Sequence, residues 1–255
     1  MRSERLFRFG GLALVFLFPL LSVLQLGDAS HPWRAAAQQV RPSVVGLYDT
    51  GQDGAGVEFI ACGVVLDSNP PRLVVPGRIS GFPLRSRHPD GWIEWRVLLA
   101  DAEGEFSVLQ ADGFRADPNR RAPSDLDQLV APARVKPDPH GQPAPEVEVA
   151  LVAPPELQEQ PLWVGVLVAE TSRTGRASYT SSFLHPVEDV SALSASSAHA
   201  AREFELDPSL RGAPFVDVHG NTVAIYVGRN ARGMRALAVE TVVQSLLMMH
   251  LQAAQ

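Results

Sequence analysis

The chain has a single cysteine, Cys62, so no internal disulfide can form. Positive charge is also in short supply. With 22 Lys and Arg against 28 Asp and Glu, the formal net charge is −6. No basic footprint exists for a nucleic-acid backbone, so nucleic acid is not an expected partner. No HExxH, CxxC or other His/Cys/Asp/Glu grouping has metal-ligand spacing, so no metal is expected. The glycine-rich "GQDGAG" at 51–56 is followed by no helical pattern, which argues against a phosphate loop, and no cofactor is expected. No repeat of solenoid length is present. Cys62 sits in the apolar run "FIACGVVL", where a thiol packs as a small hydrophobe.

What remains, 255 residues with 45% hydrophobic and 20% charged content, fits an ordinary globular protein with an export signal. Arg2, Arg5 and Arg8 precede the uncharged run "GGLALVFLFPLLSVLQLG" at 10–27, a positive segment before an apolar one. The run is long for a cleaved signal and short for a membrane span, and Pro19 would kink a helix there. Residues 1–30 are therefore expected to be a signal peptide or a signal anchor, the latter tethering the protein through 10–27. Either alternative is expected to place the remainder outside the cytoplasm, in the cell envelope, periplasmic or otherwise extracytoplasmic, secreted or anchored to the inner membrane by the N-terminal helix.

The rest of the chain reads as mostly β. "WRAAAQQV" predicts a short helix that stops before Pro42, and "SVVGLYDT", "VEFIACGVVLDS" and "RLVVPGRI" predict strands. "WIEWRVLLADAEGEFSVLQAD" predicts a hairpin around "DAEGE", with Trp92 and Trp95 as core or hairpin-face residues. Residues 117–145 carry Pro118, Pro123, Pro132, Pro137, Pro139, Pro143 and Pro145, a density incompatible with a central sheet, and predict a surface loop. Strands resume at "PEVEVALV", "PLWVGVLVAE" and "ASYTSSFLHPV". "SALSASSAHAA" reads as loop or short helix. "DPSLRGAPFVDVHGNTVAIYVG" predicts two strands joined by a turn at "VHGN". The chain closes on "VETVVQSLLMMHLQ", with Val239, Val242, Val243, Leu246 and Leu247 at helical spacing.

Three segments in this order resemble the trypsin-like serine proteases of the HtrA/Deg type. "AAQQVRPSVVGLYDTG" through "RLVVPGRI" resembles the family's opening, in which a "PSVV" strand leads to a strand ending in Thr-x-x-His-Val. "DPSLRGAPFVDVHGNTVAIYVG" is similar to the run "N-P-G-N-S-G-G-P-L" and the strand after it. "MRALAVETVVQSLL" resembles the closing strand and terminal helix. The resemblance spans residues 34–252. It implies a double six-stranded β-barrel with a C-terminal helix, preceded here by the N-terminal hydrophobic signal or anchor helix. It ends at the terminal helix, so no PDZ module is expected.

Carried over residue by residue, the resemblance puts the family's histidine on Arg78 and its serine on Arg211. The oxyanion-hole glycine falls on Ser209. The aspartate, from a "D-L-A-L-L" strand, falls on Glu148 in "EVALV", with Glu146 and Asp125 as weaker candidates. Acyl transfer needs a hydroxyl to attack and an imidazole to take its proton. A guanidinium is donor-only and stays cationic, so it can be neither nucleophile nor base. Ser209 places a Cβ where a glycine-type backbone conformation is expected. The expectation is a catalytically inactive homologue, a pseudoprotease, that binds a peptide or protein ligand as a scaffold or regulator, with Arg78, Glu148 and Arg211 as candidate binding residues. Their mutual repulsion would be relieved by Glu148 or a bound carboxylate between the arginines, or by the side chains splaying into solvent. Two alternatives stand beside it. One is an active hydrolase with a relocated Ser–His pair drawn from Ser80, Ser182, Ser209, His185 and His199, all in predicted loops. The other is a structural envelope component. His219 in "DVHGN" reads as a turn residue.

Overall fold

A computed structural model of the chain describes residues 32–49, 57–79, 84–118, 130–135, 146–157, 161–173, 175–186, 208–230 and 233–253. The expected signal segment at 1–30, the turn at 51–56, most of the Pro-rich segment, and "SALSASSAHAA" lie outside the described residues. Among the described residues no helix is long and apolar enough to cross a membrane. Contacts gather Trp33–Gln255 into one compact unit.

Twelve strands follow a short helix, α1 (Pro32–Val40). The first six are β1 (Val44–Asp49), β2 (Glu58–Ser68), β3 (Pro71–Pro76), β4 (Leu84–His88), β5 (Gly91–Ala100) and β6 (Phe106–Ala116). They close into a barrel in the order β1-β2-β3-β6-β5-β4. The second six are β7 (Glu146–Val152), β8 (Pro161–Thr171), β9 (Ala177–Pro186), β10 (Pro214–Val216), β11 (Thr222–Asn230) and β12 (Gly233–Ala238). They close as β7-β8-β9-β12-β11-β10, the same topology repeated. Helix α2 (Val239–Ala253) ends the described chain.

Alternation builds each barrel. In β5, Ile93 and Trp95 point inward while Arg96 is exposed, and the buried Trp95 indole N–H donates to Ser86 Oγ at 2.8 Å. Leu47, Val65, Leu73, Val75 and Leu109 fill the same interior. Each such side chain contributes about 1.5–3 kcal/mol on burial. The second barrel is filled by Val149, Leu151, Leu167, Tyr179 and Phe215. Trp33, Ala36, Ala37 and Val40, at helical spacing, bury α1 against that second barrel although α1 leads directly into the first. Val40 ends it one residue before Arg41–Ser43 form a 3-10 turn through Pro42.

A third cluster lies between the barrels. Val64, Val74, Phe106 and Val108 from the first meet Ile225 and Leu237 from the second, with Val239 and Val242 of α2 and Ala133 of the connecting segment. That segment is bonded to both barrels: Ala133 N–H donates to Val65 O at 2.8 Å, and Thr222 N–H donates to Arg134 O at 2.6 Å. The expected apolar face of α2 needs one correction. Val239 and Val242 are buried, but Leu247 is 57% exposed, as is the adjoining Met248.

Candidate functional site

The site forms where the end of β3 meets the turn before β10. After Pro76 the chain turns at Gly77, whose φ of +82° is a conformation L side chains rarely adopt. Two groups at the start of β6 hold this turn. Gly77 N–H donates to Glu105 O at 2.7 Å, and Ser107 Oγ donates to Gly77 O at 2.8 Å while accepting Ile79 N–H at 3.0 Å. Residues 77 and 79 are thus fixed on either side of Arg78, whose side chain is exposed.

The opposing wall is "PSLRGAP". Pro208–Leu210 form a 3-10 turn. Arg211 O then accepts Cys62 N–H at 2.7 Å, Gly212 N–H donates to Tyr226 O at 2.8 Å, and Tyr226 N–H donates to Ala213 O at 2.9 Å. Gly212 has φ +93°, and a Cβ there would collide with the carbonyl of Cys62, so glycine is required twice over. The exposed Arg211 side chain extends across the cleft until its Nη2 lies against the α-carbon of Gly77. Arg211 is therefore brought to the residue that precedes Arg78.

Glu148 is not brought to this pair. It lies exposed on β7, opposite Val166 of β8. β7 runs antiparallel to β10 with Leu151 opposite Phe215 and Ala150 opposite Val216, which carries Glu148 and Glu146 toward the end of the ladder away from Arg211. Asp125 lies outside the described residues. The carboxylate beside the turn is Glu105, which the sequence reading missed. The signal was available: "EFSVL", residues 105–109, repeats the acid–apolar–small–apolar–apolar order of the family strand and directly follows the hairpin turn. Its backbone supports Gly77, but its carboxylate approaches Arg176 Nη1 at 3.6 Å. Arg176 is the hub of a cluster, donating to both oxygens of Asp101 at 2.7 Å and lying 3.8 Å from Glu103. These hydrogen bonds from Arg176 are the main reason the Asp101 carboxyl is held below the usual range.

Ser209 is half-buried in the 3-10 turn. No described non-glycine residue has positive φ, so the expected glycine-type conformation is absent at Ser209. In a 3-10 turn an amide bonds to the carbonyl three residues back. Ala213 N–H closes the same kind of bond to Leu210 O at 2.8 Å. Cys62 is fully buried and its Sγ donates to Ser209 O at 3.5 Å. Burial first, and the nearby Glu156 carboxylate second, push its thiol far above the usual range. The same two causes, in the same order, raise the Tyr48 phenol.

Of the residues considered for a relocated hydrolase, Ser182 and His185 lie in β9 and not in loops, because Pro186 pairs opposite Trp163 and extends the strand past them. Ser80 and His199 lie outside the described residues. His219 is the expected turn residue, its N–H donating to Asp217 Oδ1 at 2.9 Å. Among the described residues no group of His, Cys, Asp and Glu could hold a metal ion.

No family model and no curated protein sequence matches the chain. Solved structures do. A serine endoprotease from Yersinia pestis aligns with TM-score 0.53 and 12% identity over 85% of this chain, which spans 65% of that protein's length. Rv3671c from M. tuberculosis H37Rv, as a serine-to-alanine mutant in an inactive form, aligns with TM-score 0.52 and 15% identity over 84% of this chain and 89% of its own. A further inactive form of the Rv3671c protease aligns with TM-score 0.50 and 14% identity, covering 84% and 92%. The two closed barrels and the terminal helix are thus the fold of HtrA-type and Rv3671c-type trypsin-like serine proteases.

Proposed function

We propose that this is a non-catalytic trypsin-fold protein, exported from the cytoplasm, that binds a peptide or protein as a scaffold or regulator through the cleft between its barrels. One observation carries the reading. The two positions that the resemblance assigns to base and nucleophile hold Arg78 and Arg211, and the guanidinium of Arg211 lies on Gly77, the residue before Arg78. Neither side chain can attack a carbonyl or accept a proton from one that does. The 3-10 turn at Pro208–Leu210 and the diversion of the Glu105 carboxylate to Arg176 support the same conclusion. Export is supported by the charge and hydropathy pattern of residues 1–30.

A serine-directed fluorophosphonate probe on the purified full chain tests the reading. The expected result is no labelling beyond that of the heat-denatured protein. Stoichiometric labelling that disappears on denaturation would refute it and favour a hydrolase with a relocated site.

A further inference from the structure

Resting on that non-catalytic reading, we infer that Arg78 and Arg211 form a receptor for a carboxylate carried by a peptide. Arg211 Nη2 lies on the α-carbon of Gly77. The neighbouring α-carbon, that of Arg78, is about 3.8 Å further along the chain. The tip of Arg211 thus lies beside the backbone that bears Arg78, and an anion held there by both guanidinium groups would offset their like charge.

The nearby carboxylates do not supply that anion. Glu105 is drawn to Arg176 at 3.6 Å. Glu148 lies toward the far end of the β7–β10 ladder. Glu156 forms no ion pair with Arg78 or Arg211. Among the described residues none forms an ion pair with Arg78 or Arg211. The pair therefore offers donor forks that match the two oxygens of a carboxylate.

The surroundings suit a peptide better than a bare anion. β2 approaches the site with exposed Val57 and Ile60 and a partly buried Phe59. It reaches Cys62, whose N–H is bonded to Arg211 O. Phe59 packs edge-to-face on Tyr48 at 5.4 Å. The strand that leads to Cys62, and the residue before that strand, thus carry exposed apolar side chains, which suit a chain with side chains on one side and a carboxylate at one point. A C-terminal carboxylate and an Asp or Glu side chain present the same chemistry.

Fluorescence anisotropy on the full chain tests this with three labelled hexapeptides of alanine and valine. One ends in a free carboxylate, one in an amide, and one in an amide with a single internal aspartate. Binding by a carboxylate-bearing peptide at least tenfold tighter than by the neutral amide is expected, and the tighter of the two carboxylates identifies the source. Arg78→Gln and Arg211→Gln should each weaken that binding by about tenfold or more, as expected for the loss of charge-assisted bonds. Their melting temperatures, both side chains being exposed, should remain near that of the parent. Equal binding of all three peptides, binding of none, or no effect of either glutamine variant would overturn the receptor while leaving the non-catalytic reading intact. Fluorophosphonate labelling of the same sample is the separate outcome that would remove that reading and the receptor with it.

Discussion

Breaking the Asp101–Arg176 pair should cost the protein several degrees of melting temperature, because this pair joins the two barrels. Asp101 lies in the β5–β6 turn and Arg176 in the β8–β9 turn. The Asp101 side chain is only 4% exposed and that of Arg176 23%, so water replaces little of what is lost. In Asp101→Asn an amide nitrogen would face guanidinium donors where an oxygen now accepts at 2.7 Å. Loss of one partner in a largely buried pair costs about 3 kcal/mol. At roughly 2–4 °C per kcal/mol for a domain of this size, the midpoint should fall by about 6–12 °C. The pH dependence has a fixed sign. The folded-state pKa of Asp101 is lowered, first of all by its hydrogen bonds from Arg176. Its contribution is therefore present above the unfolded value of about 3.9 and lost as pH falls through the lowered folded value. The deficit of Asp101→Asn should shrink over that acid range, where the parent's own carboxyl becomes protonated. Circular-dichroism melts of the full chain at neutral and acidic pH read both effects. A neutral-pH midpoint within about 2 °C of the parent would refute the magnitude, and a deficit that persists unchanged in acid would refute the cause.

Three further outcomes follow from the site. Gly212→Ala must adopt a left-handed backbone, at about 1–2 kcal/mol, and also displace the Cys62 carbonyl; an unchanged melting temperature would contradict this. Cys62 should resist a thiol-specific disulfide reagent in the native state and react fully in concentrated denaturant, because burial holds its thiol protonated; rapid native labelling would show the cleft opening to Cys62. Combining Arg78→His with Arg211→Ser should leave the protein unlabelled by the fluorophosphonate, since the 3-10 turn and the Glu105–Arg176 contact are retained; labelling of that variant would mean that only the two side chains were missing.

The barrels were largely legible in the sequence because their strands alternate. "SVVGLYDT", "VEFIACGVVLDS" and the two runs around "DAEGE" became β1, β2, β5 and β6. β4 escaped because its sequence, "LRSRH", has one apolar residue; Leu84 and Ser86 point inward, and register with β5 makes it a strand. "PGR" and "LRGAP" keep the order of the turns in the resemblance, and the structure brings Arg211 to Gly77, the residue before Arg78. Glu148 was misjudged because "EVALV" and "EFSVL" look alike along the chain, and only pairing distinguishes them: β6 lies against β3 and so against the turn bearing Arg78, whereas β7 belongs to the other barrel. Leu247 followed the helical period but sits at the edge of the face of α2 that the barrels cover: Leu246 beside it packs on the cluster between them, while Leu247 is exposed.

The frame around Arg211 is held by its backbone. The bonds that position the turn are Cys62 N–H to Arg211 O, Gly212 N–H to Tyr226 O and Tyr226 N–H to Ala213 O, all backbone to backbone. The steric requirement falls on Gly212, not on its neighbour. None of these bonds involves the side chain of residue 211, so the turn is held whichever residue stands there. The same holds at residue 78, where the restraints act on Gly77 and Ile79 through Glu105 and Ser107. Such a scaffold separates the cost of folding from the identity of its two cleft-facing side chains. Either side chain can then be replaced with little change in stability, whereas glycine at 77 or 212 cannot be exchanged without strain.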